Sequence, residues 1–212
     1  MVITYPYKSG LYVNLTNRCP CACTFCLRQY AAGVAGSGSL WLEHEPSLEE
    51  VVGDIDARNL DEFDELVFCG YGEPTERLEV LLDAARHVKA LRPGMKVRVN
   101  TNGLSDLING EPTAQRFKGT VDTVSISLNA STPAEYLRIC CPKFGLVSWQ
   151  AMMDFSRSCL IYVPDVVMTV VGAPVTSPQE QLKCKEIAEG MGARLRVRPC
   201  ESGDAVPHST RR

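Results

Sequence analysis

Cys19-Pro-Cys-Ala-Cys23-Thr-Phe-Cys26 is the most informative stretch of this sequence. Three of its cysteines, Cys19, Cys23 and Cys26, follow C-x3-C-x2-C spacing just after the apolar run of residues 11–15. Thiolates this close in one loop can ligate three corners of a [4Fe–4S] cluster, for which proteins usually supply a fourth cysteine. The spacing therefore predicts an iron–sulfur site with one iron open to a chelating small molecule, and Cys21 is interpreted as a bystander thiol.

A zinc site is the alternative use of these cysteines. Structural zinc sites usually pair two separated C-x2–4-C or H-x3–5-H units, and the sequence has no second unit of that kind. Its histidines, His44, His87 and His208, are isolated, and Cys140-Cys141 is an adjacent pair. Disulfides between such close neighbours are disfavoured. The iron–sulfur interpretation is therefore favoured, and zinc stays open as the alternative.

Length and composition predict a single globular domain. A chain of 212 residues with 45% hydrophobic and 22% charged residues can bury an ordinary core. The net charge of -3 argues against a broad nucleic-acid-binding surface. Because no signal peptide or membrane-spanning run is recognisable, we expect a cytoplasmic protein with reduced thiols and no membrane contact. We expect one domain over residues 1–212, with residues 1–10 and 201–212 as loose extensions.

Apolar and alternating runs predict six strands separated by helices. The predicted strands are residues 11–16, 65–70, 96–101, 121–128, 165–171 and 194–198. Helical spacing and capping signals predict helices near residues 27–32, 47–59, 75–91, 112–118, 132–141, 149–160 and 177–190. This alternation indicates an α/β fold with a parallel sheet. Six units are too few for a closed (β/α)8 barrel, so we expect a partial open (β/α)6 barrel with its ligand site at the C-terminal strand ends.

Polar and glycine-rich segments lie at those predicted strand ends. Gly70-Tyr71-Gly72-Glu73-Pro74 follows the second strand, where glycines let the backbone approach a ligand and the acid can accept hydrogen bonds from an ammonium group. Asn100-Thr101-Asn102-Gly103 ends the third strand and has the composition of a turn. Ser125 and Ser127 share one face of the fourth strand. We expect both hydroxyls to point into the barrel, where buried polar groups need partners.

The sixth predicted strand has one cationic face. Arg194, Arg196 and Arg198 alternate there with Leu195 and Val197. A solvated face on an edge strand, which discourages aggregation, explains this pattern. A binding site for an anionic substrate explains it equally well.

The cysteine stretch resembles the C-x3-C-x-aromatic-C signature of the radical S-adenosylmethionine (SAM) enzymes, with Phe25 as the aromatic residue. The stretch from Gly70 to Pro74 resembles the G-G-E-P motif of the same family, although Tyr71 stands where that motif usually has glycine. More narrowly, residues 3–7 and 11–21 resemble the small TatD-associated radical SAM proteins. That subfamily is named for its association with TatD-type metal-dependent hydrolases.

The resemblance implies two cofactors, a [4Fe–4S] cluster on Cys19, Cys23 and Cys26, and SAM chelated by its open iron. Reductive cleavage of SAM would give methionine and a 5′-deoxyadenosyl radical that abstracts hydrogen from a substrate. Arg138 resembles the basic residue that pairs with the SAM carboxylate, although a solvated helix charge explains it equally well. The candidate cofactor contacts are Phe25, Gly70, Tyr71, Gly72, Glu73, Asn100, Thr101, Ser125, Ser127, Asn129, Arg138 and Arg198.

Partners and substrate follow from the same resemblance. A flavodoxin- or ferredoxin-like protein would supply the electron, and a TatD-type hydrolase is a candidate partner. The open side of a six-strand barrel favours a macromolecular substrate such as a tRNA or a peptide. A small anionic metabolite held by the arginines of the sixth strand is one alternative, and a non-catalytic zinc or iron–sulfur module is another. Cys140, Cys141 and Cys200 lack cluster spacing and are interpreted as buried or bystander thiols rather than ligands of a second cluster.

Overall fold

A computed structural model describes residues 1–34 and 36–200 of the chain. Its strands form one seven-stranded sheet in sequence order. They are β1 (Thr4–Tyr7), β2 (Gly10–Val13), β3 (Glu65–Phe68), β4 (Lys96–Thr101), β5 (Thr123–Ser127), β6 (Asp165–Val171) and β7 (Arg194–Arg198). β2 to β7 are parallel, and β1 pairs with β2 in the antiparallel direction. The expected loose extension at residues 201–212 lies outside the described residues.

Six α-helices and four 3-10 turns connect or follow these strands in the described residues. The helices are α1 (Leu48–Asp56), α2 (Leu78–Leu91), α3 (Ser105–Asn109), α4 (Pro133–Cys140), α5 (Val147–Tyr162) and α6 (Pro178–Met191). The 3-10 turns are Leu27–Gln29, Leu60–Glu62, Pro74–Arg77 and Ala114–Phe117. The capping box predicted before α1 is confirmed, because Ser47 Oγ accepts from Glu50 N at 3.2 Å while Glu50 Oε2 accepts from Ser47 N at 2.7 Å. Helix α3 was not predicted, since five residues are too few to show a helical period.

The N-terminal strand β1 corrects the expectation of a loose extension over residues 1–10. Tyr5 is paired with Tyr12 of β2, and their ring centroids are 5.4 Å apart. The backbone N–H of Thr4 donates to Asp54 Oδ2 of α1 at 2.8 Å. Pro6 hid this strand in the sequence, because proline is tolerated only at sheet edges or bulges, and β1 is an edge strand.

The two faces of the sheet differ in chemistry. The outward face packs against the helices and is apolar: Leu11, Val13, Leu66, Phe68, Val97, Val99, Val124, Ile126, Met168 and Val170. The inward face alternates with it along each strand and is mixed: Tyr12, Val67, Arg98, Asn100, Ser125, Ser127, Thr169, Arg196 and Arg198. The expected inward orientation of the fourth-strand serines, now on β5, is therefore confirmed.

The sheet is open, because β1 and β7 form its two edges and do not pair with each other within residues 1–34 and 36–200. The prediction of a partial parallel barrel is confirmed, with the antiparallel β1 as an added edge. In the same described ranges, no helix combines the length and apolarity that crossing a bilayer requires.

The burial of one face of α2 makes a stability prediction. Leu82 is fully buried under the sheet, whereas Leu91 on the same helix is 59% exposed. We expect Leu82→Ala to lower the free energy of unfolding by about 2–5 kcal/mol, because it removes apolar contacts and leaves a cavity. Leu91→Ala should change it by no more than about 0.5 kcal/mol. Urea denaturation followed by circular dichroism measures both, and equal losses would contradict this orientation of α2.

Candidate iron–sulfur and SAM site

The cysteine loop, residues 19–26, is held in place by the C-terminal end of α4. Ala22 N donates to the carbonyl of Cys140 at 3.2 Å, and Thr24 N donates to the carbonyl of Ile139 at 2.9 Å. These backbone bonds fix the loop against a segment that is distant in sequence. The position of the loop just beyond the C-terminal end of β2 is the one expected for a ligand site in a parallel barrel.

The three motif thiols differ from Cys21 in burial. Cys19, Cys23 and Cys26 are half-buried, whereas Cys21 is 4% exposed and packs in the core. Cys23 and Cys26 line the cavity inside the barrel. Asn102 Nδ2 contacts Cys19 Sγ at 3.9 Å. A hydrogen bond from the Cys21 thiol lowers the pKa of Cys19, and burial raises the pKa of Cys26.

The other cysteines named in the sequence lie in different environments. Cys140 is buried against the cysteine loop, and a hydrogen bond from its thiol lowers the pKa of Cys23. Asn129 Nδ2 contacts Cys140 Sγ at 3.6 Å. Cys141 is exposed, and Cys200 is half-buried and lines the cavity. Cys140 is therefore a packing partner of the loop rather than a bystander.

The chemistry of the donor set fits an iron–sulfur cluster. Among the residues that the structure describes, no three His, Cys, Asp or Glu side chains converge on one metal-ion position. Each thiolate of a [4Fe–4S] cluster binds a different iron, so its ligands stand further apart than those of one zinc ion. Three soft thiolates on one loop, two of them facing a cavity, suit iron–sulfur chemistry.

Arg28 is a loop-stabilising residue that sequence reasoning missed. Its guanidinium donates to the carbonyl oxygens of Asn17 at 3.5 Å, Cys21 at 3.3 Å and Tyr71 at 3.4 Å. No carboxylate in the described residues forms an ion pair with it, so its charge is available to offset the negative thiolates. The only signal in the sequence is a cation two residues after the last cysteine of the motif.

Gly70 and Gly72 are required by close packing. A Cβ on Gly70 would lie 2.0 Å from Asn14 Oδ1, and a Cβ on Gly72 would lie 2.2 Å from the carbonyl oxygen of Thr16. Both contacts are with the segment that joins β2 to the cysteine loop. The glycines therefore bring the end of β3 against that segment, and Gly70 also lines the cavity.

Tyr71, the departure from the family motif, has a structural role. Its hydroxyl donates to the carbonyl oxygen of Ala31 at 2.5 Å, and its ring meets Trp41 edge-on with centroids 5.2 Å apart. Burial raises the pKa of Tyr71. The side chain thus ties the segment after the cysteine loop to the end of β3.

Glu73 is enclosed by hydrogen-bond donors. Its Oε1 accepts from Thr75 Oγ1 at 2.9 Å and from Thr101 Oγ1 at 2.7 Å, and its Oε2 accepts from Asn102 N at 2.7 Å. Burial raises the pKa of Glu73, although these hydrogen bonds act in the opposite direction. In this structure Glu73 and Thr101 satisfy each other, and a direct contact of either with SAM stays a prediction.

Several predicted contacts do meet in the cavity. Phe25, Asn100 and Arg198 line it together with Gly70 and Tyr71. Ser125 Oγ accepts from Arg196 Nη2 at 3.2 Å, and Ser127 lies two residues further along the same face. Most of the predicted contact set is therefore brought to one side of the sheet.

Asn129 and Arg138 are among the predicted contacts that do not line the cavity. Asn129 is buried in the left-handed region with φ 57°, and its Oδ1 has no partner within residues 1–34 and 36–200. An unpartnered buried acceptor of this kind fits a donor on a bound molecule. Arg138 is on the surface, with 60% of its side chain exposed and an ion pair to Glu135 at 2.5 Å. The solvated alternative for Arg138 is the arrangement that the structure has.

An open parallel barrel with a three-cysteine loop at its C-terminal strand ends defines a class of iron–sulfur proteins with partial (β/α) barrels. The family model "Radical SAM superfamily" matches residues 13–182. The chain therefore belongs to the radical SAM superfamily. A search of curated proteins found no match.

Solved structures show the same fold. A radical SAM methyltransferase from Sphaerobacter thermophilus has a TM-score of 0.63 at 16% identity, covering 92% of this chain and 57% of that chain. The FeFe-hydrogenase maturase HydG from Carboxydothermus hydrogenoformans has a TM-score of 0.57 at 16% identity, covering 91% and 44%. A second structure of HydG, described as a maturase of the [FeFe]-hydrogenase, has a TM-score of 0.59 at 14% identity, covering 91% and 43%. This chain thus spans about half the length of these proteins.

The packing of Gly72 makes a prediction for the site. Gly72→Ala would force the backbone at Thr16 and Arg18 to move, since the added Cβ would lie 2.2 and 2.6 Å from their carbonyl oxygens. We expect it to lower the free energy of unfolding by about 1–3 kcal/mol. We also expect less iron to be retained after reconstitution, because the cysteine loop starts at this point.

The matched control is Gly53→Ala in α1, where nothing lies within 4 Å of the added Cβ. This change should be neutral or stabilising by up to about 1 kcal/mol, since alanine favours a helix over glycine. Urea denaturation and iron quantification measure both variants. Wild-type stability and iron content in Gly72→Ala would contradict the close packing.

Proposed function

We propose that this chain is a radical SAM enzyme in which Cys19, Cys23 and Cys26 hold a [4Fe–4S] cluster and SAM binds at the remaining iron. The observation that carries the proposal is the three-cysteine loop beside the cavity of a partial barrel of this superfamily. When bound and reduced, the cluster supplies one electron that cleaves SAM to methionine and a 5′-deoxyadenosyl radical, which removes hydrogen from a substrate.

The chain's own residues would orient SAM and shield it from water. Phe25 offers an apolar ring for the adenine, next to Cys26 on the cavity wall. Asn100 offers an amide, and its Oδ1 already accepts from Arg98 Nη1 at 3.0 Å. Tyr71 holds the segment after the cysteine loop against the end of β3, which would limit the access of water to the site.

The cavity supports a small anionic substrate as the second candidate. The open side of the barrel is the feature that favours a macromolecular substrate. The inward arginines of β7 are a more specific feature, since they give the cavity a charge that selects among substrates. The arginines of β7 are therefore the better guide to the substrate.

Further proposals concern context. We propose a flavodoxin- or ferredoxin-like reductant, because the cleavage needs an electron from outside the chain. The resemblance at residues 3–7 and 11–21, which form β1, β2 and the start of the cysteine loop, supports a TatD-associated role and a TatD-type hydrolase as partner. The single continuous sheet supports one core domain. The ten cysteines of the sequence, which show no disulfide framework, support a reducing, cytoplasmic location.

Anaerobic reconstitution tests the proposed chemistry. We expect wild-type protein reduced with dithionite to hold about four irons and four sulfides per chain and to release 5′-deoxyadenosine from SAM. A variant with Cys19, Cys23 and Cys26 all changed to alanine should lose both properties. Iron and sulfide assays and chromatography of the SAM products measure them.

The matched control is Cys141→Ala, because the Cys141 thiol is exposed and its contact with the cysteine loop, from Ala22 N at 3.3 Å, is through the backbone carbonyl. It should keep the iron content and the cleavage activity of the wild type. Bound zinc without SAM cleavage in the wild-type protein would contradict the proposal and favour the non-catalytic module.

A further inference from the structure

The cavity inside the barrel has a volume of about 620 Å³, within the range of small-molecule sites. Its two long walls have different chemistry. The wall from β1 and β2 is aromatic: Tyr5, Tyr7 and Tyr12. The wall from β4 and β7 is cationic: Arg98, Arg196 and Arg198. Cys23, Cys26 and Phe25 lie at one end, so a ligand between the walls would be next to the proposed SAM site.

The charge of this cavity is opposite to that of the protein. Its described lining includes five basic residues, Lys8, Arg28, Arg98, Arg196 and Arg198, and one acidic residue, Glu65. The whole chain has a net charge of -3. The positive charge is therefore concentrated along the cavity, where it attracts anions.

The single carboxylate is already used. Arg98 Nε donates to Glu65 Oε2 at 2.9 Å, and Arg98 Nη2 donates to Glu65 Oε1 at 2.5 Å. This two-point pair neutralises Arg98. Within residues 1–34 and 36–200, neither Arg196 nor Arg198 forms an ion pair with a carboxylate.

Arg198 has a buried donor without a partner. Its Nε is inaccessible to solvent and makes no hydrogen bond to any described residue. Arg196 donates to Ser125 Oγ at 3.2 Å, and burial together with the like charges of Arg98 and Arg198 lowers the pKa of Arg196. A buried N–H donor without an acceptor, such as Arg198 Nε, is unfavourable. An oxyanion in the cavity would supply the missing acceptor and relieve the repulsion.

Arg194 shows how a solvated edge charge on the same strand looks. Its side chain is 69% exposed and pairs with Asp165 at 2.8 Å. Arg196 and Arg198 line the cavity instead. Arg196 is also exposed, whereas Arg198 is half-buried and its Nε has no partner among the described residues, so protection of a sheet edge does not account for Arg198.

Arg198 lies near the C-terminal ends of the parallel strands, the end of the barrel at which the cysteine loop lies. Arg198 is level with Val171 at the C-terminal end of β6. Its charge also acts on the thiol of Cys69, which directly precedes Gly70 of the glycine-rich motif. A carbon-centred radical acts only on a substrate in contact with it. A substrate bound by Arg198 would lie near the proposed SAM site, as this reaction requires.

We propose that Arg196 and Arg198 bind the carboxylate or phosphate group of a small anionic substrate, whose carbon skeleton lies between β7 and the tyrosines of β1 and β2. The reaction at this substrate rests on the proposed radical SAM function. The anion site is a property of the arginines themselves and can be measured separately.

The test is anion binding to Arg196→Gln, Arg198→Gln and the control Arg194→Gln. Malonate and inorganic phosphate are titrated as separate probes of the two anion classes, with sodium chloride at equal ionic strength as reference. Calorimetry on protein before and after reconstitution gives the affinities. We expect each cavity variant to weaken the preferred anion by about tenfold or more, because a charge-assisted hydrogen bond is lost. Arg194→Gln should leave the affinity within about twofold.

SAM binding to the reconstituted variants separates substrate from cofactor. We expect SAM affinity, iron content and substrate-free release of 5′-deoxyadenosine to stay at wild-type levels in Arg196→Gln, because Arg196 is not among the predicted cofactor contacts. Equal loss of SAM affinity would overturn the proposal, since the arginines would then hold the SAM carboxylate. Binding of neither anion beyond the chloride reference, or equal weakening by Arg194→Gln, would also overturn it. Failure of wild-type protein to form a cluster would overturn the radical SAM function alone.

Discussion

The buried carboxylate of Glu73 is the constraint on which the site depends. A carboxylate removed from water is tolerated only when hydrogen bonds replace its hydration. Thr101 and the backbone N–H of Asn102 supply such bonds from the end of β4, while Glu73 itself follows β3. The backbone N–H of Glu73 also donates to the carbonyl of Arg18, at the entrance of the cysteine loop, at 2.8 Å. The side chain and backbone of one residue therefore fix two strand ends and the position of the loop together.

Local patterns in the sequence predicted the parallel strands of the fold. The bounds predicted for β4, β6 and β7 agree with the structure. Short runs with alternating apolar residues are typical of strands that have one face on a core. The edge strand β1 was missed, because it has only four residues and contains Pro6, and so shows no clear alternating pattern. The cysteine motif was recognisable for a similar reason, because all of its ligands are close together in the sequence.

The contacts that hold the site together are distant in sequence, and local patterns contain no trace of them. The sequence around Cys140 does not indicate that the end of α4 would form hydrogen bonds with the cysteine loop. The sequence around Glu65 does not indicate that its carboxylate would form an ion pair with Arg98. Family likeness suggested a ligand role for Glu73, but its donors come from the next strand. The two explanations of the β7 arginines give the same alternation, and the arginines differ only in contacts that are distant in sequence, such as the ion pair of Arg194 with Asp165.

The open edge of the barrel and its cationic wall are consistent with a single physical role. Arg196 and Arg198 lie on β7, an edge strand of the sheet that residues 1–34 and 36–200 form, and the exposed Arg196 is in contact with water there. That hydration lowers the cost of holding two like charges inside the protein. An anion that entered from this edge would displace the water and neutralise the charges at the same time. Loss of water would strengthen the electrostatic interactions and protect reactive groups from side reactions. The substrate itself would then complete the wall that a partial barrel lacks.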